Sequence, residues 1–150
     1  MYIRPASVDD VEKLFEIRCS VRENHMTREE MAALGITPES VQGMIGGGDY
    51  SVPVAFADGE AVGFAMAHIS ECSIFALFVT PAHEGQGIGA KLLAHVEEAL
   101  CQNGVREAWL ATDADERVRA VGFYRHHGWR DAGLMEDGQL RLCKQLFTAS

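Results

Sequence analysis

The sequence predicts a mixed α/β fold, in which about four helices flank a twisted and mostly antiparallel sheet of six or seven strands. Two observations lead to this prediction. Apolar runs of strand length alternate with capped segments of helical spacing along the 150 residues. Two neighbouring runs also meet at Asp58-Gly59, a turn that favours an antiparallel hairpin, whereas a helix joins two later runs and makes that pair parallel.

The first 50 residues are predicted to form one strand and three helices. Each helix begins after a residue whose side-chain oxygen can accept a hydrogen bond from the first turn. The predicted elements are a strand at Tyr2–Ala6, a helix capped by Ser7 that ends around residues 22–25, a helix from Thr27 to Gly35, and a helix from Thr37 to Gly46. Pro38 suits the first position of the third helix, because that position needs no N–H donor.

The later residues are predicted to complete the sheet. Three strand-like runs follow one another through tight turns, and a helix separates the third run from the fourth. The predicted strands are Tyr50–Ala57, Ala61–Ile69, Ile74–Val79, Arg106–Thr112, Trp129–Leu134 and Gln139–Phe147, and the predicted helices are Ala90–Cys101 and Asp115–His127. Because no linker or repeat divides the chain, we expect a single domain over residues 1–150.

Composition narrows the class of protein. The hydrophobic share of 47% and the charged share of 23% are typical of a globular protein, and a net charge of −9 argues against binding nucleic acid. No apolar run approaches the roughly 20 residues that span a bilayer, and Met1–Pro5 lacks the apolar core of a signal peptide. We therefore expect a cytoplasmic protein with no membrane partner, in which the four widely spaced cysteines are free thiols.

The stretch after the third strand-like run predicts an anion-binding turn. Pro81 ends the strand Ile74–Val79, and Gly85-Gln86-Gly87-Ile88-Gly89 leads into the next helix. Glycines let the backbone approach a ligand closely, and the unpaired N–H groups of a first helical turn attract negative charge. We therefore expect main-chain amides to hold a phosphate-bearing ligand here.

Other interpretations of this turn are weaker. Gly85, Gly87 and Ala90 fit the dinucleotide fingerprint G-x-G-x-x-G/A, and Asp113 lies near the ribose-binding distance. Residues 80–84 nevertheless separate the strand from the first glycine, and antiparallel hairpins precede the motif, so a dinucleotide site is disfavoured. A Walker-type loop is excluded because no Gly-Lys-Ser/Thr follows. A tight turn without a ligand stays open, since glycine spacing alone is a weak signal.

Two segments resemble the GCN5-related N-acetyltransferase (GNAT) family. Val79-Thr80-Pro81 followed by EGQGIG at residues 84–89 is similar to the acyl-CoA-binding motif, which is Gln or Arg, two residues, Gly, one residue, and Gly or Ala. Residues 120–129, AVGFYRHHGW, resemble the family signature A-x-x-F-Y-x-x-x-G-F. The resemblance covers essentially the whole chain. It implies an acyl-CoA N-acyltransferase-like fold whose sheet splays between strands 74–79 and 106–112.

The resemblance also implies roles for particular residues. A backbone N–H at Phe78 or Val79 polarises the thioester carbonyl, and Tyr124 protonates the departing thiolate. For Tyr124, packing with its hydroxyl on a backbone group is the alternative. The cosubstrate is acetyl-CoA, no metal is implied, and the pyrophosphate is assigned to main-chain amides of Gln86, Gly87, Ile88, Gly89 and Ala90. The side chain of Lys91 either assists them or is simply solvated.

The general base is unassigned. Many family members carry a glutamate eight residues before the proline, where this chain has Ser73. Glu71, His68 and a chain of water molecules are the alternatives. A second departure is Glu84, where the family usually has Gln or Arg. Because a carboxylate repels phosphate, Glu84 must point away, bind a neighbouring cation or cap the turn.

Further cationic residues lie near the expected ligands. Arg117 replaces an asparagine of the second motif, and with Arg119 and Arg125 it either reaches the cosubstrate or belongs to an exposed helix face. The region of residues 22–49 is where we expect an acceptor pocket, because loops on a rigid scaffold carry specificity. If several of the residues at the end of the first helix face that pocket, the acceptor carries a carboxylate or phosphate beside its amine; these residues are Arg18, Arg22, Asn24 and His25.

The function predicted on this basis is an acetyl-CoA-dependent N-acetyltransferase that acts on a small amine by direct attack. A covalent enzyme intermediate is not expected, because the cysteines have no helper residues. The alternatives are a non-catalytic acyl-CoA-sensing module, which Ser73 and Glu84 favour, and an NAD-binding oxidoreductase. The acceptor, the acyl chain and the oligomeric state stay open, although homodimers are common in the family.

Overall fold

The computed structural model describes residues 1–22, 25–112, 114 and 119–146. Within them the chain forms an eight-stranded sheet and five α-helices. The strands are β1 (Tyr2–Pro5), β2 (Tyr50–Ser51), β3 (Pro53–Ala57), β4 (Glu60–His68), β5 (Ser73–Val79), β6 (Glu107–Thr112), β7 (Arg130–Leu134) and β8 (Leu140–Gln145). The helices are α1 (Val11–Ser20), α2 (Arg28–Ala33), α3 (Pro38–Gly46), α4 (Ile88–Gln102) and α5 (Arg119–His126).

The sheet order is β1-β3-β4-β5-β6-β8-β7, and β2 pairs with β4 beside β3. Every pairing is antiparallel except that of β5 with β6, so the predicted mixed fold is confirmed. The described sheet has one strand more than predicted, because residues 50–57 form two strands. Val52 separates them, and its carbonyl accepts a hydrogen bond from the Ala6 N–H (2.8 Å).

Local capping signals place most helix starts correctly. Thr27 and Thr37 accept hydrogen bonds from the N–H groups of Glu30 and Ser40, as predicted. Ser7 pairs with Asp10 in a capping box, but a short 3₁₀ turn follows it and α1 begins only at Val11. The predicted start of the last helix at residues 115–118 lies outside the described residues.

Two other helix ends differ from the prediction. The first helix, α1, ends at Ser20 rather than at residues 22–25, and α4 begins at Ile88 rather than Ala90. The second difference arises because Gly87, with φ 82°, is itself the N-cap of α4. Two residues of the predicted glycine turn, Ile88 and Gly89, therefore belong to the first helical turn.

The helices cover both faces of the sheet. One apolar core joins α4 to one face of the central strands, through fully buried side chains such as Leu92, Val96 and Ala65. A second core joins α1 and α3 to the other face, through side chains such as Phe15, Val41 and Phe64. Because neighbouring residues of a strand point to opposite faces, β4 contributes alternately to the two cores.

A bulge in β5 opens the sheet. In the register with β4, Met66 pairs with Ala76 while Ala67 pairs with Ile74, so Phe75 is an extra residue of β5. A bulge increases the local twist and bends its strand. In the described part of the chain β5 meets β6 only at Ser73, opposite Trp109. The parallel, splayed arrangement predicted for these two strands is therefore confirmed, and the opening faces the carboxyl end of β5.

Candidate active site

The start of α4 presents a group of main-chain N–H donors. Gly85 and Gly87 both have left-handed backbone angles, with φ values of 76° and 82°. The first helical hydrogen bond runs from the Lys91 N–H to the Gly87 carbonyl (3.2 Å). The preceding N–H groups of this turn therefore have no acceptor within the helix, and together with the helix dipole they favour a bound anion. Gln86 and Lys91 have exposed side chains.

The end of β5 directs alternate N–H groups towards β4 and towards the opening. The Thr80 N–H donates to the Val62 carbonyl (2.9 Å), and the register places Val79 opposite Gly63. Because the direction of the N–H alternates along a strand, that of Phe78 points to β4 and that of Val79 points into the opening. Of the two predicted polarising amides, the register therefore favours Val79.

Three elements meet at Gly89 in the first turn of α4. A Cβ added there would lie 3.5 Å from the ring of Phe123 on α5 and 3.9 Å from Cγ2 of Val79 on β5. Phe123 and the open end of β5 therefore both lie against the glycine turn. Tyr124 comes next, with its ring centroid 5.3 Å from that of Phe123. The fold thus brings the two sequence motifs together.

Tyr124 is half-buried between aromatic rings. Its ring is edge-on to Phe123 and also to Trp129, at 6.2 Å between centroids. Burial raises the pKa of the Tyr124 phenol, so the hydroxyl stays protonated through neutral pH. A protonated phenol is the form that a proton donor to a thiolate requires.

Glu84 lies beside a cation. Its carboxylate is 2.9 Å from the guanidinium of Arg119 at the start of α5, so the second of the three arrangements considered for Glu84 is the observed one. Arg125 forms two hydrogen bonds to Asp131, of 2.9 and 2.7 Å. Arg117, the third arginine considered for the cosubstrate, lies outside the described residues.

The side chains suggested as the general base lie far from the Val79 N–H. His68 is 2.8 Å from the Asp49 carboxylate and stacks on Tyr50, at 4.3 Å between centroids. It pairs with Ser73, six residues of strand from Val79, which corresponds to about 20 Å. Glu71 is exposed beyond that end of β5, and Ser73 itself is buried. These side chains therefore lie where β5 and β6 join, not where the sheet opens.

A pocket of about 220 Å³ lies on the other face of β5, between this strand and helices α1 to α3. Met31, Ile36 and Met44 from the predicted region 22–49 help to line it, and Phe78 forms part of its sheet side. Of the residues predicted at the end of the first helix, Arg18 lines the pocket. Arg22 is exposed, His25 bonds the Val21 carbonyl (3.1 Å), and Asn24 lies outside the described residues.

Two residues that shape the opening were not singled out from the sequence. A Cβ on Gly63 would lie 3.0 Å from the Phe78 carbonyl oxygen and 3.1 Å from Leu92, so any larger residue would require β5 or the Leu92 side chain to shift. A glycine inside a strand-like run is the signal that indicates such a close approach. Phe75 carries the bulge, and nothing in its local sequence indicates one.

The described residues also bear on other classes of site. No helix among them is both long and apolar enough to cross a lipid bilayer. Likewise, they contain no group of three or more His, Cys, Asp or Glu side chains placed to hold a metal ion. All four cysteines fall in this part of the chain, and each is a free thiol.

The chain matches the acetyltransferase (GNAT) family over residues 12–129 and therefore belongs to that family. Among curated proteins, [ribosomal protein bS18]-alanine N-acetyltransferase of Escherichia coli (strain K12) is 30% identical over 77 residues, which are 50% of this chain and 51% of that protein. The chain thus spans about half the length of the curated relatives it matches.

Solved structures share the fold. The PaiA N-acetyltransferase from Thermoplasma acidophilum in complex with coenzyme A superposes with a TM-score of 0.82 at 20% identity, covering 96% of this chain and 98% of that one. An aminoglycoside 6′-N-acetyltransferase complexed with coenzyme A has a TM-score of 0.79 at 17% identity, covering 100% and 99%. At such identities the likeness shows the acetyltransferase fold.

Proposed function

We propose that this protein is an acetyl-CoA-dependent N-acetyltransferase that transfers the acetyl group to the amine of a small molecule by direct attack. The observation that carries the proposal is the meeting of the α4 amide turn with the open end of β5 at Gly89 and Phe123. Family membership and the coenzyme A bound to two similar structures support it.

The chain's own groups account for holding the cosubstrate. The amides of residues 86–90 bind the pyrophosphate, because the left-handed Gly87 exposes them at the positive end of α4. The pantetheine arm then extends along the opening between β5 and β6. This places the thioester beside Val79, whose N–H is directed into the opening.

In the transfer step, the neutral amine of the acceptor attacks the thioester carbonyl carbon. A C–N bond forms, the carbonyl oxygen becomes negative, and the Val79 N–H stabilises that charge. The C–S bond then breaks, the Tyr124 hydroxyl gives its proton to the thiolate of coenzyme A, and water returns a proton to Tyr124 before the next turnover. The attacking nitrogen loses a proton to water, because the suggested side-chain bases lie about 20 Å along β5 from Val79.

Binding and turnover together test this proposal. Acetyl-CoA at about 100 times its Kd is expected to raise Tm by roughly 5–10 °C, whereas NAD at the same concentration leaves Tm unchanged. Release of free coenzyme A thiol with an amine panel then measures turnover. A shift with NAD alone would support the oxidoreductase alternative. Tight binding of acetyl-CoA with no turnover on any amine would support the acyl-CoA-sensing module.

Three expectations from the sequence stay predictions. They are the cytoplasmic location, the homodimer and the preference for acetyl over longer acyl chains. The same thiol assay with propionyl-CoA and butyryl-CoA in place of acetyl-CoA measures which acyl chain is preferred.

A further inference from the structure

We propose that the acceptor is an apolar amino acid, bound with its carboxylate on Arg18 and its side group in the pocket between β5 and helices α1 to α3. This inference rests on the proposed acetyltransferase function and names the substrate class for it. Free leucine, methionine and phenylalanine represent the class. The reaction gives the N-acetyl amino acid and coenzyme A, and the carboxylate is unchanged.

The position of Arg18 points to an anionic ligand. Within the described part of the chain, its Nη1 is the buried side-chain nitrogen that has no hydrogen-bond partner. A buried donor without a partner costs about 1–3 kcal/mol, and more when it is charged. Burial also lowers the pKa of Arg18, although a guanidinium stays charged at neutral pH. A ligand carboxylate would accept a charge-assisted hydrogen bond from Nη1 and so satisfy this donor.

One contact already holds the guanidinium in place. Its central carbon lies 4.4 Å from the centroid of the Phe78 ring, over the ring face. Such a cation–π contact offsets part of the cost of burial, but it satisfies no N–H group. Phe78 therefore orients Arg18 and leaves the Nη1 donor without a partner.

The rest of the pocket suits an apolar side group. Among the described lining residues only Arg18 is charged, and four methionines and four phenylalanines supply most of the others. The volume of about 220 Å³ exceeds the roughly 150 Å³ of an engineered apolar cavity that accommodates benzene. Methionine side chains adapt to ligands of different shape, so we expect several apolar side groups to fit.

The charge of the pocket disfavours other acceptors. A compound with several amines would place a cation near Arg18, and the carboxylate of Glu30, which attracts this guanidinium, does not line the pocket. A phosphate would bring up to two negative charges to a single guanidinium. An amino acid zwitterion has no net charge, so the net charge of −9 does not repel it.

The geometry also connects the pocket to the Val79 N–H, which we propose polarises the thioester carbonyl. Phe78 lines the pocket and directly precedes Val79, whose N–H faces the opening of the sheet. An amino acid with its carboxylate on Arg18, which lies over the Phe78 ring, therefore has its amine near the end of β5. The amine and carboxylate share one carbon in such a ligand, which keeps both groups within a few ångströms of this strand end.

Three amines that differ at a single group test the proposal. They are L-leucine, L-leucinamide, and 3-methylbutylamine, which lacks the carboxylate; 1,4-diaminobutane is the dicationic probe. With acetyl-CoA, we expect kcat/KM for leucine to exceed that for the other three by about tenfold or more, the value of one charged hydrogen bond. A preference for leucinamide, which mimics the first residue of a peptide, would instead indicate a protein N-terminus and would overturn the proposal.

Substitution of Arg18 supplies the matched test. Arg18→Met suits the methionine-rich lining, and we expect it to raise KM for leucine about tenfold or more while changing KM for 3-methylbutylamine little. Arg18→Lys keeps the charge and should retain part of the preference. Lys13→Met, at an exposed position of the same helix, is the control. An Arg18→Met variant that folds and keeps the preference for leucine would refute the inference.

Binding separates this inference from the proposed function. Calorimetry with coenzyme A present measures the affinity for leucine without turnover. Leucine that binds the parent protein and not Arg18→Met supports the inference even where no acetylation is seen, and in that case the catalytic proposal alone fails. Turnover of amines without a carboxylate, with no binding of leucine, leaves the acetyltransferase standing and overturns the inference.

Discussion

At the scale of single residues, Tyr124 offers the sharpest test of the chemistry. Its half-buried ring packs edge-on against Phe123 and Trp129, and Phe keeps the ring and its packing. We expect Tyr124→Phe to lower kcat by about 10²–10⁴-fold, because a positioned proton donor contributes that much. The thiol-release assay measures kcat, and calorimetry is expected to show an unchanged Kd for coenzyme A.

The pH profile gives a second view of the same side chain. Burial raises the pKa of the Tyr124 phenol above the ordinary value of about 10. The proton is therefore present throughout neutral and mildly alkaline pH, and kcat should show no loss from this group below about pH 10. A basic limb near pH 8 that disappears in Tyr124→Phe would contradict this assignment.

Glu84 and Arg119 show how a residue that differs from the family pattern is accommodated. The carboxylate would repel a bound phosphate, but Arg119 on α5 lies 2.9 Å from it and compensates the charge. This pair also links the residue before the glycine turn to the start of α5. Glu84 therefore changes the charge near the amides that we propose bind the phosphate. It leaves the backbone geometry of those amides in place.

At the scale of elements, the start of α4 depends on one glycine. Gly87 has φ 82°, which other residues adopt at a cost of about 1–3 kcal/mol, although no atom lies within 4 Å of an added Cβ. We expect Gly87→Ala to lower stability by about that amount and to weaken coenzyme A binding more than tenfold, since the amides of residues 86–90 would shift. Calorimetry and urea unfolding measure the two effects.

A second glycine serves as the matched control for Gly87→Ala. Gly43 lies in α3 with ordinary helical angles and no atom within 4 Å of an added Cβ. Alanine is favoured over glycine inside a helix, so Gly43→Ala should raise stability by about 0.5–1 kcal/mol and leave coenzyme A binding unchanged. Equal losses of coenzyme A affinity in the two variants would show that the left-handed turn is not needed.

At the scale of the whole molecule, one polar network joins α4, β8 and the end of α5. Lys144 on β8 donates to Glu97 on α4 (2.6 Å) and to the His127 carbonyl after α5 (2.8 Å). Trp129 Nε1 donates to the other oxygen of the Glu97 carboxylate (3.2 Å). The network therefore connects α4, which begins at the glycine turn, to the end of the helix that carries Tyr124.

Removing the cation of this network should destabilise the protein. The side chains of Lys144 and Glu97 are 26% and 16% exposed, so Lys144→Met leaves a mostly buried carboxylate with one partner fewer. We expect a loss of about 1–3 kcal/mol in the free energy of unfolding, measured with urea. Arg130→Met removes the exposed pair with Glu107 (3.7 Å) and should change stability by less than about 0.5 kcal/mol. Similar losses in both variants would contradict this account.

Local signals were enough for much of the fold. The helix caps Thr27 and Thr37, the Asp58-Gly59 hairpin and the glycine turn were predicted, because each depends on backbone angles and hydrogen bonds within a few residues. Asp58 and Gly59 both have positive φ, as the predicted hairpin turn requires. The boundaries at residues 50–57 were wrong, because the break at Val52 depends on Ala6, a residue distant in the sequence.

The sequence by itself determined the class of fold, the order of the elements and the position of the glycine turn that we propose binds the anion, since hydrophobic period, caps and glycines act locally. Only the tertiary structure decided which N–H of β5 faces the opening, because that depends on the register with β4. It also decided that Arg119 accompanies Glu84 and that Arg18 lines an apolar pocket, because these contacts join residues brought together only by packing.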